Sequence, residues 1–205
     1  MKILPLQEFL DNQKFFISEA KEGKIFVYPT DTVYGIGGIY TPQVIDKIFA
    51  IKKRDEKKLF SLIAPSFDRI EKNYMSTPIT EEMRRLSGDK EIPLSKSPNP
   101  QKNPQIPSIL QLKEYLSTYH GVTYIFDHQK PGIRIIKHPF QTFVEMLGEP
   151  FITTSCNISG EAVITDIKDL PSEIADKVEY IIDGGILGGK PSVLIDLVEN
   201  KIIER

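Results

Sequence analysis

The chain has 205 residues, with 26 lysines and arginines against 28 aspartates and glutamates and a formal charge of -2. That length suffices for one buried core, and that charge gives no overall pull toward nucleic acid or anionic membrane, so any anion site must be built locally. The lone cysteine, Cys156, excludes an intrachain disulfide and a thiolate metal cluster; with no membrane-length apolar run and an N-terminus interrupted by Pro5, Gln7 and Glu8, the expectation is a cytoplasmic protein.

Phe9, Leu10, Phe16, Ile17 and Ala20 recur at roughly helical spacing before Gly23, which predicts one amphipathic helix over 6–22. Ile25 to Tyr28 favour a pleated backbone, and Pro29 cannot continue a ladder. Thr30, Asp31 and Thr32 then present three oxygen-bearing side chains. Gly35, Gly37 and Gly38 allow a tight turn or a close approach to a ligand. The stretch from Lys24 to Gly38 therefore reads either as a strand ending in a binding turn or as an ordinary strand-to-helix connection.

Thr41 and Pro42 make an N-cap and N1 pair, and Val44, Ile45, Ile48, Phe49 and Ile51 mark the helix that follows. Residues 59–64 read as a buried strand, followed by a short helix from Pro65 and Ser66 and a capped helix from Thr80 to about Ser87. Five prolines between 88 and 107 exclude a continuous helix or central strand there, leaving a surface insertion that is a plain loop or a lid. A capping box at Ser108 opens a helix to about Tyr119. Strands follow at 122–127 and 133–136, then a helix after Pro139, a strand at 151–154 and a helical stretch at 171–177. VEYIID, SVLIDL and KIIE read as three short strands, the last two joined by a tight turn. Strands and helices alternate without a strict βα repeat, which predicts a single α/β (α+β) domain over 1–205 around a mixed twisted sheet.

Three polar stretches are candidates for chemistry. Lys52, Lys53, Arg54, Lys57 and Lys58 put five cations in seven positions; they form either a solvated face or the cationic rim of a cleft suited to phosphates. Thr153 to Gly160, TTSCNISG, repeats the pattern of an apolar strand running into hydroxyls and an amide, with Cys156 reading as a packed spectator thiol. Gly184 to Lys190 is nearly a phosphate loop, but Pro191 replaces the required hydroxyl and a strand follows instead of a helix. No metal-binding or paired-carboxylate motif is present.

Taken together and in order, YPTDTVYGIG, Lys52-x-Arg54 with Lys58, TTSCNISG and IIDGG…GKPSVLIDL resemble the YrdC-like family of threonylcarbamoyl-AMP synthases. The resemblance covers the chain apart from the Pro-rich insertion. It implies an open twisted sheet flanked by helices, with a concave cavity. It also implies synthesis of L-threonylcarbamoyladenylate and pyrophosphate from L-threonine, bicarbonate or CO2, and ATP with Mg2+. The product would pass to partner threonylcarbamoyl-transferase proteins that modify a tRNA adenosine.

Position by position, the resemblance makes Lys52 and Arg54 the catalytic cations and gives Thr32 and Ser155 to threonine. Lys58, Thr123, Arg134, Asn157, Thr165, Ser192 and, at the chain's end, Arg205 fall to the nucleotide, with no side chain assigned to metal. HGVTYI stands where the family has PGPLT, and SVL where it has STV. Those departures keep open a second reading, a non-catalytic module on the same fold that binds a nucleotide or, weakly, RNA.

Overall fold

The structure is a computed structural model that describes residues 2–55, 58–74, 112–118 and 121–203. The helix expected from Thr80 and the Pro-rich segment 88–107 lie outside the described residues. Ten strands are seen among those described: β1 (Lys2–Pro5), β2 (Phe26–Tyr28), β3 (Gly35–Gly37), β4 (Ser61–Ile63) and β5 (Val122–Ile125), then β6 (Gly132–Arg134), β7 (Phe151–Ser155), β8 (Tyr180–Asp183), β9 (Val193–Asp196) and β10 (Lys201–Ile203). The helices are α1 (Leu6–Asp11), α2 (Gln13–Lys21), α3 (Pro42–Lys52), α4 (Phe67–Tyr74), α5 (Leu112–Thr118), α6 (Phe140–Leu147) and the single turn α7 (Ser172–Ala175). None of these helices is long and apolar enough to cross a membrane.

The strands join in one open mixed sheet of order β1-β8-β2-β3-β7-β4-β6-β5-β9-β10. β1, β8 and β2 run parallel, β3 and β7 are each antiparallel to their neighbours, and β4 pairs parallel with β6. Two expectations are corrected. The single helix over 6–22 is broken at Asn12, whose side-chain amide donates to the Glu8 carbonyl at 2.8 Å and closes α1 before α2 begins. Residues 35–37, expected as turn, form a strand that pairs Phe26–Tyr28 on one side and Thr154–Ser155 on the other. β1, which the sequence pattern did not indicate, extends the sheet beside β8. Thr41 stands at the α3 N-cap as expected, though its hydroxyl makes no capping bond.

Successive residues of a strand point to opposite faces, and here the two faces carry different cores. Val27, Leu62, Ile133, Ile152, Ile181 and Ile195 point to an aliphatic face covered by α3, α4 and α5. Phe26, Tyr28, Ile63, Phe151 and Ile182 point the other way, into an aromatic layer with Phe9 and Phe16 of the first two helices and Phe140 and Phe143 of α6. Tyr28 stacks on Phe140 with ring centroids 4.1 Å apart, and its hydroxyl crosses β3 to donate to the Ile152 carbonyl at 3.0 Å. Gly37 makes that crossing possible, because a Cβ there would lie 1.7 Å from the Ile152 oxygen and 3.1 Å from the tyrosine hydroxyl.

The aromatic layer covers only part of its face. Along β7 the same-face positions run Phe151, Thr153, Ser155, and along β4 they run Ile63, Ser61. One sheet face therefore changes from core to hydroxyl-lined floor. Phe140→Ala is expected to destabilise the chain by about 3–5 kcal/mol, measured as a urea midpoint shift at unchanged slope, because it empties the centre of the layer. Phe15→Ala, at an exposed position, is expected to change stability by less than about 0.5 kcal/mol in the same assay.

Candidate functional site

Three adjoining cavities open on the uncovered part of this face. The first, about 200 Å³, is lined by Thr30, Thr32, Thr123, Arg134, Ser155 and Ser192 among others. The second, about 180 Å³, is lined by Lys52, Arg54, Asp55, Lys58, Ser155 and Asn157 with neighbours from the same turn. Ser155 belongs to both and marks their junction. The third, about 270 Å³, shares Arg54 and Lys58 with the second and Ser61 with the first.

The hydroxyls of the first cavity have defined roles. Thr30 Oγ1 donates its hydrogen to the Val33 carbonyl at 2.7 Å and accepts from the Thr32 amide at 3.1 Å. Its 2.9 Å contact with Thr32 Oγ1 must then be a bond donated by Thr32. Ser155 Oγ likewise donates to Asn157 Oδ1 at 2.6 Å. A hydroxyl carries one donor, so Thr32 and Ser155 present lone pairs to the cavity and accept hydrogens from whatever occupies it. Thr123 and Ser192 are paired at 3.0 Å, which leaves one O–H of the two able to donate.

Arg134 supplies the positive charge. Its side chain is 6% exposed and its Nη2 is paired with Asp31 Oδ1, yet its buried Nε has no partner. A buried N–H without an acceptor is costly. Arg134 stands among the hydroxyls of the first cavity and not beside Lys52, Arg54 and Lys58.

Lys52, Lys53 and Arg54 end α3 and diverge because Lys53 adopts a left-handed C-cap with φ 51. Lys52 is 1% exposed. Its ammonium donates to the Ser155 carbonyl, to the Asn157 carbonyl at 2.6 Å and to Asn157 Oδ1 at 3.1 Å. Burial pulls Lys52 down to about 8, the Arg54 charge adds to that, and the nearby Cys156 opposes it. All three donors of the ammonium are committed, so Lys52 fixes the Ser155–Asn157 turn from beneath and contributes its charge through the floor. Lys53 points outward to Glu173 at 2.8 Å. Arg54 is half-buried over the Phe60 ring at 5.3 Å and donates from Nε and Nη2 to the carbonyls of Lys58 and Leu59, while exposed Lys58 lines the same two cavities.

Asn157 is held on both sides, since its amide nitrogen donates to the Glu161 carbonyl at 2.7 Å. Thr165 lines none of the three cavities; its carbonyl accepts from the Leu187 amide at 2.8 Å and anchors the Gly-rich loop. Arg205 lies outside the described residues. Cys156 is fully buried and burial pushes its thiol up to about 12, consistent with packing and unlike a nucleophile.

A family model, Sua5_yciO_yrdC, described as telomere recombination, matches residues 18–205. The chain belongs to the Sua5/YciO/YrdC family. Among its relatives, a chain of Methanocaldococcus jannaschii is 29% identical over 211 residues, covering 98% of this chain and 90% of that one. The threonylcarbamoyl-AMP synthase of Pseudoalteromonas translucida is 24% identical over 184 residues, covering 88% of this chain and 90% of the relative. P. abyssi Sua5, solved in complex with L-threonine, superposes with a TM-score of 0.65 at 22% identity over 94% of this chain, a likeness of fold. This chain spans 53% of that Sua5 chain.

Two parts of the site in this Sua5/YciO/YrdC chain were not legible as such in the sequence. Asp31 looked like one oxygen-bearing side chain among three, but it is the partner of Arg134. The Gly184–Lys190 loop is the backing of the Thr32 turn: Tyr34 Oη donates to the Gly185 carbonyl at 2.7 Å and accepts from the Gly184 amide at 3.0 Å. Gly189 lies against Thr32 so closely that a Cβ would sit 2.0 Å from its carbonyl oxygen. The only sequence signal was an abundance of glycine.

Gly189→Ala is therefore expected to displace the Thr32 turn and lower the melting temperature, whereas Gly188→Ala, where a Cβ meets nothing within 4 Å, leaves it unchanged in a thermal melt. Lys52→Met is expected to destabilise by roughly 1–3 kcal/mol because two buried carbonyls lose their donor. Lys53→Met should stay within about 0.5 kcal/mol in the same denaturant titration.

Proposed function

We propose that this chain is an L-threonylcarbamoyladenylate synthase, a transferase of the nucleotidyltransferase kind, which joins L-threonine, bicarbonate or CO2 and ATP and releases pyrophosphate. The observation that carries this reading is the junction at Ser155. On one side lies a hydroxyl-lined cavity with two hydrogen-bond acceptors and the Arg134 guanidinium in its wall; on the other lies a cavity walled by Arg54 and Lys58 over the Lys52 charge. The first set matches an amino acid, with amine and hydroxyl hydrogens donated to Thr32 and Ser155 and the carboxylate on Arg134. The second matches a polyphosphate. The name of the P. translucida relative and the threonine complex of P. abyssi Sua5 support the same assignment.

In this arrangement the threonine amine adds to CO2 to give a carbamate and a proton. A carbamate oxygen at the Ser155 junction then attacks the α-phosphorus, forming the new P–O bond as the bond to pyrophosphate breaks. Charge gathers on phosphoryl oxygens, so Arg54, Lys58 and the buried Lys52 act by orientation and charge stabilisation, and no protein nucleophile is needed. Magnesium enters with ATP as part of the substrate, held by its phosphates. Asn157 braces the junction, and the Thr123–Ser192 pair offers its remaining O–H to a substrate oxygen. Thr165 serves through the loop it anchors. The product is passed to a threonylcarbamoyl-transferase partner for tRNA modification, and the site lies in a cytoplasmic protein.

Incubation with ATP, magnesium, bicarbonate and L-threonine is expected to release threonine-dependent pyrophosphate, and Arg54→Ala to lower the rate about 10²–10³-fold. Absence of that release from the parent chain overturns the reading. The first cavity includes Val33 and Val163 in its lining; serine, which lacks the methyl group that such apolar contacts would cover, is expected to be used roughly 10-fold less efficiently, measured as kcat/KM.

A further inference from the structure

The carboxylate of Asp31 is withdrawn from solvent, with its side chain 3% exposed. Each of its oxygens is engaged. Oδ1 receives Nη2 of Arg134; Oδ2 receives the Gly121 amide at 2.9 Å and the Lys137 amide at 3.3 Å. Gly121 immediately precedes β5, which carries Thr123, and Lys137 follows β6, which ends in Arg134. One carboxylate thus joins the turn that carries Thr30 and Thr32 to two strands of the opposite cavity wall.

The guanidinium is a rigid planar fork, so fixing Nη2 fixes the direction of every other N–H on it. With Nη2 held by Asp31, the guanidinium is fixed in the wall of the first cavity, which it lines together with Thr30, Thr32 and Ser155. We propose that Asp31 is the positioning residue for substrate recognition: it holds the Arg134 guanidinium in the wall of the first cavity to meet the amino-acid carboxylate, and it sets the span between that guanidinium and the acceptors on Thr32. Asp31 touches no substrate itself. The proposal rests on the reading that the first cavity takes threonine.

The substitution Asp31→Asn exposes the role. An amide in that place must aim its NH2 group either at the Arg134 guanidinium or at the two backbone amides, and both are donors. Arg134 is then left with a buried charge lacking its counter-charge, and its fork is no longer held. A residue that only stiffened the scaffold would weaken both substrates in proportion to lost stability. A positioning residue weakens one.

The test is isothermal titration of the full chain with L-threonine and, separately, with magnesium ATP. Asp31→Asn is expected to raise the threonine Kd by about 10-fold or more while ATP affinity stays within about 2-fold. The double variant Asp31→Asn/Arg134→Gln should bind threonine no more weakly than Arg134→Gln alone, since the two residues act as one unit. Should Asp31→Asn fail to fold, Asp31→Glu keeps the charge on a longer arm and is expected to show the same selective loss. Parental threonine affinity in the folded variant, or equal weakening of threonine and ATP, overturns the proposal and leaves the functional reading standing. A parent chain that binds ATP but not threonine overturns both.

Discussion

A β-strand has only two faces, and β7 uses one of them for both core and cavity. Phe151 closes the aromatic layer, and Thr153 and Ser155, on the same face, floor the site. The packing that holds Phe151 among Phe140, Phe143 and Tyr28 therefore also fixes where the Ser155 hydroxyl stands. Tyr28 adds a second tie, reaching across β3 to the Ile152 carbonyl. A site built on strand ends next to a dense aromatic layer has little freedom to drift, which is what recognition by short neutral hydrogen bonds requires.

Charge is distributed by depth. The chain as a whole is close to neutral, yet three consecutive cations at the end of α3 have three separate fates. Lys52 turns inward and braces a loop, Lys53 pairs with Glu173 in solvent, and Arg54 lies half-buried on Phe60 facing two cavities. Arg134, distant in sequence, places a fourth cation in a compartment of its own, with Asp31 balancing it. The cavity face is thereby divided into a compartment with one paired cation and a compartment with several, with Ser155 between them.

Much of this was readable from residue patterns. The runs Ile25 to Tyr28 and Phe151 to Thr154, each ending in hydroxyls, read as strands that run into polar turns; both strands form, and those hydroxyls line the first cavity. Pro42 fixed the start of α3, because its missing N–H is no loss at a first helical position. The errors also have local causes. Gly35 and Gly37 suggest a turn because glycine carries no strand preference of its own; they form a strand in which the missing side chains leave room for the Tyr28 ring. Asn12 was passed over inside an amphipathic pattern, although its side chain competes for the Glu8 carbonyl and breaks the helix. Lys2 to Pro5 became a strand because β8 presents it with a free edge, a condition set far along the chain.

The sequence alone determined which groups were available: hydroxyls and an amide after two strands, a run of cations after a helix, and a single thiol. Those features depend on residue type and on neighbours a few positions away. Only the tertiary structure decided which cation lines which cavity. Arg134 and Asp31 are 103 positions apart, and Lys52 and Asn157 are 105 apart, so no periodicity links them. Their pairing follows from strand order, and strand order is set by the burial of two faces at once. That separation made Arg134 a neighbour of Thr32 and Ser155 and made Lys52 a brace beneath them.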